Sequence, residues 1–493
     1  MGFEPKRGDH RSSSSRRGPV AYVLSLTLSV FLACLLPCFA AWAQDAAPDT
    51  SGNPFAQAAT TSAKGSVEGG MNVTEVDPLF EIVIQPGFEA RTAMHIVEPT
   101  NIGDGDDSTG VASEVAEILR RDFEMSGLFD VTAASTYRAL VDLKRDGFTT
   151  STIDFEAWDT VADSSVLVKG TYRVDGAQVE LDLKLFDVTA GTEFKLDWSP
   201  SITRTARVRD VVHDFVNAVI EVYTGEKGVF GTRIIFSGSD SGNDRKIYSI
   251  ENDGYGLTNY ELPAGINVLP TWGPGGSVIF TSLRDDGDHV YSVKDGEMTQ
   301  LTNDEGWSSG ADYCSGANLV ALTLATEESP EIFTMRPDGT ELTQITFDTE
   351  SIETSPSWSP GCKKVAFVSN RSGYPQIYTM SVDGSDVKRV TWLGNYNTTP
   401  EWSPKGDLIA FTARDERRRF DIFTVDANSS EIRRLTQDQG NNEEPSWAPD
   451  GNYLTFQSTR DGRQPRLYMM DDTGRWQFRI ADSPGFQTPV WQR

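Results

Sequence analysis

Pro356-Ser357-Trp358-Ser359-Pro360-Gly361, leading into Val365-Ala366-Phe367-Val368-Ser369, is a phrase that this 493-residue chain repeats. It returns at Pro400-Glu401-Trp402-Ser403-Pro404-Lys405-Gly406 and at Pro445-Ser446-Trp447-Ala448-Pro449-Asp450-Gly451. The anchoring aromatics are Trp272, Tyr313, Trp358, Trp402, Trp447 and Trp491, separated in turn by 41, 45, 44, 45 and 44 residues. A period of this length, with several short strands in each unit, is the signature of propeller blades.

Six apolar strands start near Ile234, Val278, Leu319, Val365, Ile409 and Leu454. Each is followed by an aliphatic–aromatic pair, from Ile247-Tyr248 to Leu467-Tyr468, and then by a turn such as Asp253-Gly254 or Asp383-Gly384. The array opens without a Pro-x-Trp ahead of Ile234 and ends on Pro489-Val490-Trp491 with no blade after it. The simplest arrangement puts this last strand innermost in the first blade. That closes a six-bladed ring and removes the free edge an open array would expose.

Upstream the pattern changes. Ser108 can cap a helix carrying Val111, Val115, Ile118, Leu119 and Phe123 at helical spacing, and Phe80 to Ile84 alternates like a strand. Strands at Ser165–Val174 and Gln178–Val188 flank an Asp175-Gly176 turn, and Thr192 to Trp198 reads as a third strand of that meander. A second helix carries Val208 to Ile220 and stops at Thr224-Gly225. The expected fold is therefore an α/β domain, a mixed sheet with two helices, at 76–228, followed by an all-β six-bladed propeller at 229–493. Thr224 to Gly228 reads as a short hinge between them.

The basic n-region (Arg7, Arg11, Arg16, Arg17), the apolar run Val20–Ala40 and Ala41-Trp42-Ala43 read as a signal peptide, residues 1–43, cut after Ala43. Retention of the run as an anchor, or a twin-Arg signal, stays open. Residues 44–75 hold few large apolar side chains and read as a flexible tail. The chain has a net charge of −28, and without its five basic and two acidic leader side chains the remainder carries −31. Such a body repels nucleic-acid backbones and attracts basic partners or divalent cations. Cys314 and Cys362, the two cysteines outside the leader, flank the same turn in neighbouring repeats. A disulfide and two unlinked small residues are equally compatible with that spacing.

Residues recurring in every blade belong to the frame: the tryptophans pack blades together, and the Ser-x-Arg runs at Ser282, Ser369 and Ser458 supply hydrogen bonds or ion pairs. No nucleophile elbow occurs, and His10, His95, His213 and His289 fall in unrelated contexts. Gly103 to Asp107 lacks the Gly and Glu a calcium loop needs further on. The variable part is the set of loops entering each Pro-x-Trp strand, which strand order gathers on one face around the channel. Its candidate partner-binding residues are Glu261, Asn267, Glu305, Trp307, Glu350, Glu353, Asn395, Tyr396, Asn397, Glu443, Glu444 and Phe486. Acidic groups interspersed with aromatics suit a basic protein or peptide; a merely solvated rim is the alternative. No cofactor is required, though a divalent cation could sit in the acidic channel.

From about residue 76 onward the chain resembles the TolB family of the Gram-negative Tol-Pal system. The resemblance rests on Thr224-Gly225-Glu226-Lys227-Gly228-Val229-Phe230-Gly231-Thr232-Arg233-Ile234, on Asp253-Gly254-Tyr255, and on Gly474-Arg475-Trp476 followed by Pro489-Val490-Trp491. It implies a periplasmic, non-enzymatic, monomeric adaptor. The propeller face would bind Pal, the peptidoglycan-associated lipoprotein, and the N-terminal extension would bind a TolA-like inner-membrane protein. The family supports outer-membrane integrity and constriction in cell division. Two departures stand out: about thirty residues intervene between the expected mature N-terminus and the first strand, and Gly310-Ala311-Asp312-Tyr313 has lost both Pro and Trp. An envelope peptide- or carbohydrate-binding module is the alternative reading. A propeller-gated peptidase is a further one, for which no stretch is left to form the hydrolase domain.

Overall fold

The computed structural model describes residues 91–493 except 104–109, 139–140, 144, 161–164, 240–243, 285–286, 304–306, 326 and 328. The leader, the tail, the strand expected at Phe80–Ile84, the cap at Ser108 and the loop residue Glu305 lie outside the described residues.

The N-terminal domain has strands β1 (Thr92–Ile96), β2 (Thr100–Asn101), β3 (Phe129–Val131), β4 (Val166–Asp175), β5 (Gln178–Asp187), β6 (Thr192–Glu193) and β7 (Ser201–Arg204). Its sheet order is β3-β1-β4-β5-β6, with β2 on β4 and β7 on β5. Both strands beside β1 run parallel to it and the β4–β5 pair is antiparallel, so the sheet is mixed. Helices α1 (Val111–Met125), α2 (Ala134–Arg138), α3 (Phe155–Thr160) and α4 (Val208–Thr224) accompany it. The two long helices bury the apolar positions their spacing marks, and Gly225 ends α4 in the left-handed conformation. The short α2 and α3 bring Tyr137 and Trp158 into a second, smaller core.

Two expectations need correction. The third meander strand is only β6, its pairing with β5 ending at the bond from the Phe194 amide to the Leu185 carbonyl (2.9 Å); Phe194, Leu196 and Trp198 pack against the core, and Trp198 meets Phe215 edge-on at 5.3 Å. The connection to the propeller is no hinge. Asn217 of α4 donates to the Phe230 carbonyl (3.0 Å) and accepts from the Phe230 amide (2.9 Å), fastening it to the helix.

The propeller has six four-stranded sheets. Blade 1 pairs Arg233–Gly238 with the C-terminal strand Gln487–Trp491 inside it, so the ring closes as the sequence suggested. Each innermost strand carries a bulge at one position, marked by a positive φ at Leu269, Gly310, Ser355, Thr399, Glu444 and Thr488. A bulge interrupts the ladder, which is where proline, lacking an N–H, is tolerated. This explains the Pro of Pro-x-Trp. Blade 3 has Gly310 at the positive-φ position, Ala311 where the other blades have proline, and Tyr313 in place of the tryptophan.

The bulge also frees backbone donors for the neighbouring blade. Ser355 N–H reaches Thr323 (3.2 Å), Glu444 N–H reaches Thr412 (3.1 Å) and Thr488 N–H reaches Gln457 (3.0 Å). One turn on, Asp312 accepts from Trp358 N–H (2.7 Å), Ser357 from Trp402 N–H (3.0 Å) and Ser446 from Trp491 N–H (3.1 Å). The tryptophans are therefore packing elements, not a cage. Cys314 and Cys362 are bonded, joining blades 3 and 4 with their Cα atoms 5.9 Å apart. Trp491 is fully buried, and its indole donates to Thr232 Oγ1 at 2.8 Å. We expect Trp491→Ala to destabilise the propeller by about 3–5 kcal/mol in a denaturant titration. A loss no larger than that for half-buried Trp272→Ala would contradict its closing role.

The described residues of both domains belong to one compact unit. The N-terminal domain sits on turns joining first to second and third to fourth strands in blades 1, 5 and 6. Arg121 donates to the carbonyls of Asp253 and Arg479 (both 3.1 Å), Tyr453 to that of Ser126 (2.9 Å), and Glu226 meets Lys405 at 3.4 Å. Arg209 bonds Asp253 and stands 3.4 Å from Glu251 and 3.8 Å from the Tyr255 ring centre. Beside it, buried His213 bonds Asp122 at 2.7 Å and faces Glu251 at 3.6 Å. Burial opposes a charge on His213, but the Asp122 bond and the surrounding carboxylates prevail and lift it to about 9. Burial pushes Asp122 up to about 6 while His213 holds it from rising further.

A folded-state pKa above the ordinary 6.5 gives a contribution fully present below about pH 6.5 and lost as pH rises through about 9. Stability should therefore fall between pH 7 and 9.5, and His213→Gln should remove that dependence. An unchanged slope in the variant would show that other groups titrate there.

Candidate functional site: the inter-blade loop face

Because strands alternate in direction from the axis outward, two kinds of connection share the face opposite the N-terminal domain. They are the loops entering each innermost strand and the turns joining second to third strands. The two kinds interlock: Ile352 N–H bonds Asn370 Oδ1 (2.8 Å), Asn397 N–H the Pro375 carbonyl (3.0 Å), and Arg414 N–H the Tyr396 carbonyl (3.0 Å).

The twelve candidate residues divide sharply. Glu261, Glu350 and Asn395 are exposed, and Trp307 is half-buried. Tyr396 lies between the Phe420 ring (5.7 Å) and the Arg414 guanidinium (5.3 Å). Asn267, Glu353, Asn397 and Phe486 are buried, so they cannot meet a partner directly. The first three sit five residues before their tryptophan and pin the strand to the frame. Asn267 accepts from Ser282 (2.8 Å), Glu353 from Ser369 (2.9 Å) and Arg371 (3.0 Å), and Asn397 donates to Gln376 of the preceding blade (2.9 Å). Asn442 donates to Asp421 of the preceding blade (2.9 Å) and accepts from Ser458 of its own (2.8 Å). In blade 1 Phe486 takes this place against Phe236, over Gly238, where a Cβ would lie 2.7 Å from its ring. The constant offset from Trp was the signal for a structural role. The Ser-x-Arg runs join the same pins: Arg371 and Arg460 donate to Ser369 (3.0 Å) and Ser458 (2.9 Å).

Glu443 and Glu444 lie not in the entry loop but just inside the innermost strand of blade 6, Asn442–Trp447, at the end where the chain enters it. They are half-buried and have no ion-pair partner among the described residues. Burial pushes Glu443 up to about 7, and burial plus the neighbouring Glu443 charge pushes Glu444 up to about 8. A cationic group placed there would be met by two carboxylates short of counter-charge. Deeper in the ring, Glu401 bonds Arg493, whose guanidinium also reaches the Trp402 carbonyl at 3.0 Å. Sequence reading overlooked this pair. Burial, opposed by Arg493 and reinforced by Asp312, raises Glu401 to about 7. Among the described residues the clustered metal-type ligands are His213, Glu251 and Asp253 at the domain interface, where Arg209 already supplies the positive charge.

Residues 220–493 match the sequence profile of the TolB beta propeller domain, and residues 80–194 that of the TolB amino-terminal domain. The chain belongs to the TolB family. Family relatives include a Protein TolB homolog of Chlorobium luteolum, 30% identical over 59% of this chain and 65% of its own length. The Tol-Pal system protein TolB of Geobacter sulfurreducens is 32% identical over 36% of this chain and 39% of its own length. The chain thus spans about two-fifths to two-thirds of the length of these relatives. The crystal structure of TolB from Acinetobacter baumannii shares the fold, with a TM-score of 0.69 at 20% identity over 82% of this chain and 97% of that one.

Neighbouring residues 395 and 397 give a direct contrast. Asn397→Ala should cost about 1–3 kcal/mol, because it leaves Gln376 and the Leu393 carbonyl short of a buried donor. Asn395→Ala should stay within about 0.5 kcal/mol. Equal effects in thermal unfolding would refute the division into frame and surface.

Proposed function

We propose that the chain is a periplasmic, non-enzymatic adaptor of the Tol-Pal system. Its inter-blade loop face receives the lipoprotein Pal, and the N-terminal tail, residues 44–75, engages a TolA-like inner-membrane protein. Coupling the two serves outer-membrane integrity and constriction in division. The reading rests on membership of the TolB family. The observation that carries it within this chain is the pair Glu443 and Glu444, unneutralised at the mouth of a face that the N-terminal domain leaves open. Such a mouth favours a partner that inserts a basic side chain, since two partly protonated carboxylates regain charge when a cation arrives. A divalent cation held at the same mouth belongs to this reading as well. Among the described residues no helix is long and apolar enough to cross a membrane.

Capture of purified Pal by the exported chain tests the reading. Glu443→Lys with Glu444→Lys should weaken capture on the order of a hundredfold, the usual scale for reversing close interfacial charges. Unchanged capture would mean that this face is not where Pal binds.

A further inference from the structure

The inter-blade loop face is not acidic throughout. Away from the mouth, the loops leaving blades 3 and 4 and the outer turns of blades 4 and 5 carry side chains of the opposite character. Phe347 and Trp392 occupy the same repeat position, just after Ile345-Thr346 and Val390-Thr391, and are 70% and 64% exposed. The frame does not ask for aromatics there, since blades 2 and 5 place Asn303 and Gln437 at that position. Tyr374, in the turn between the two loops, is 50% exposed. On the other side of the Trp392 loop stands the blade 5 turn Asp415-Glu416-Arg417-Arg418-Arg419, held there by Arg414, which donates to Asn395 at 3.2 Å. Both acids of this turn face Arg434, at 3.1 and 3.9 Å, and Arg417 bonds Asp438. Arg418 and Arg419 are exposed and have no carboxylate partner among the described residues. In a chain of net charge −28 this is a local positive site beside exposed aromatics.

Trp, Tyr and Arg are the side chains in which binding hot spots are concentrated. We propose that Phe347, Tyr374, Trp392 and the Arg417–Arg419 turn form a second contact for the lipoprotein partner, taking an apolar, acid-bearing surface of it. This rests on the adaptor reading above. Charge complementarity selects the occupant: one folded partner with a basic group for Glu443 and Glu444 and carboxylates offset to one side. The patch also answers a problem that a near-symmetric ring creates. The acidic pair of blade 6 fixes one point near the axis, and the aromatic–arginine sector running from the end of blade 3 to blade 5 adds a second, so that the two together leave a single favoured rotation.

The test uses the exported chain and the soluble domain of Pal, with association and dissociation followed at two salt concentrations. Trp392→Gln with Phe347→Asn borrows residues that other blades already carry, so folding is preserved, and an unchanged melting temperature checks this. The variant should bind about 30-fold or more weakly, through faster dissociation. Arg418→Glu with Arg419→Glu should slow association and alter its salt dependence. If both variants bind within about twofold of the parent while Glu443→Lys with Glu444→Lys loses binding, the patch is no contact and the adaptor reading stands. If neither patch nor mouth variants change Pal binding, both proposals fall. Loss of binding to an anionic glycan, with Pal binding intact, would likewise overturn the patch proposal.

Discussion

The propeller depends on a hydrogen bond that crosses from blade to blade. A bulge in each innermost strand breaks the ladder at one residue, and the donors it frees bond side chains of the preceding blade. Ser355 to Thr323, Glu444 to Thr412 and Thr488 to Gln457 are three instances of one device. Next to it, Trp358, Trp402 and Trp491 donate their amides to Asp312, Ser357 and Ser446. Hydrophobic packing alone would let sheets slide on one another, because burial is non-directional. Directional bonds at fixed positions set the register between blades.

The same device explains what was legible in the sequence. Pro-x-Trp is the chemical trace of the bulge: a residue without an N–H where the ladder is broken, then an aromatic that fills the gap between blades. Ring closure followed from Pro489-Val490-Trp491, and α1 and α4 from their apolar spacing. What failed was the treatment of polar residues near the loops. Asn267, Glu353 and Asn397 looked like surface groups because polar side chains usually are. They are buried pins, and buried polar groups persist only where they are bonded. Their constant distance from Trp carried that information. The short helices α2 and α3 were illegible for another reason: a turn or two of helix has no periodicity to detect, and Tyr137 and Trp158 are held by tertiary packing. The cysteine pair was open in sequence because spacing sets no Cα distance, and only the fold brings the two turns side by side.

Function separates from frame along the same line. Residues at a fixed place in every blade hold the ring; residues that vary between blades are free to serve binding. Glu443 and Glu444 have no equivalents in other blades, and neither do Trp392 and the three-arginine turn, apart from Phe347 one blade earlier. Being outside the repeat does not make a residue functional. Being outside it, exposed, and of a kind that folding alone does not favour is a stronger combination.

The placement of the N-terminal domain bears on the ring's weakest point. Closure rests on three residue pairs, Gln487–Ser237, Val490–Ile235 and Trp491–Ile234, between the two ends of the propeller sequence. The domain grips both sides of that seam: Arg121, Arg209 and His213 reach the blade 1 turn, while Tyr453 and the Arg479 carbonyl are held from blade 6. Opening the seam would have to pull the domain off one blade or the other. The domain therefore acts as an external clasp on a ring whose internal closure is short. Because the clasp holds the turns at one end of the blades, the loops at the other end, with the acidic mouth and the aromatic patch, stay clear of it.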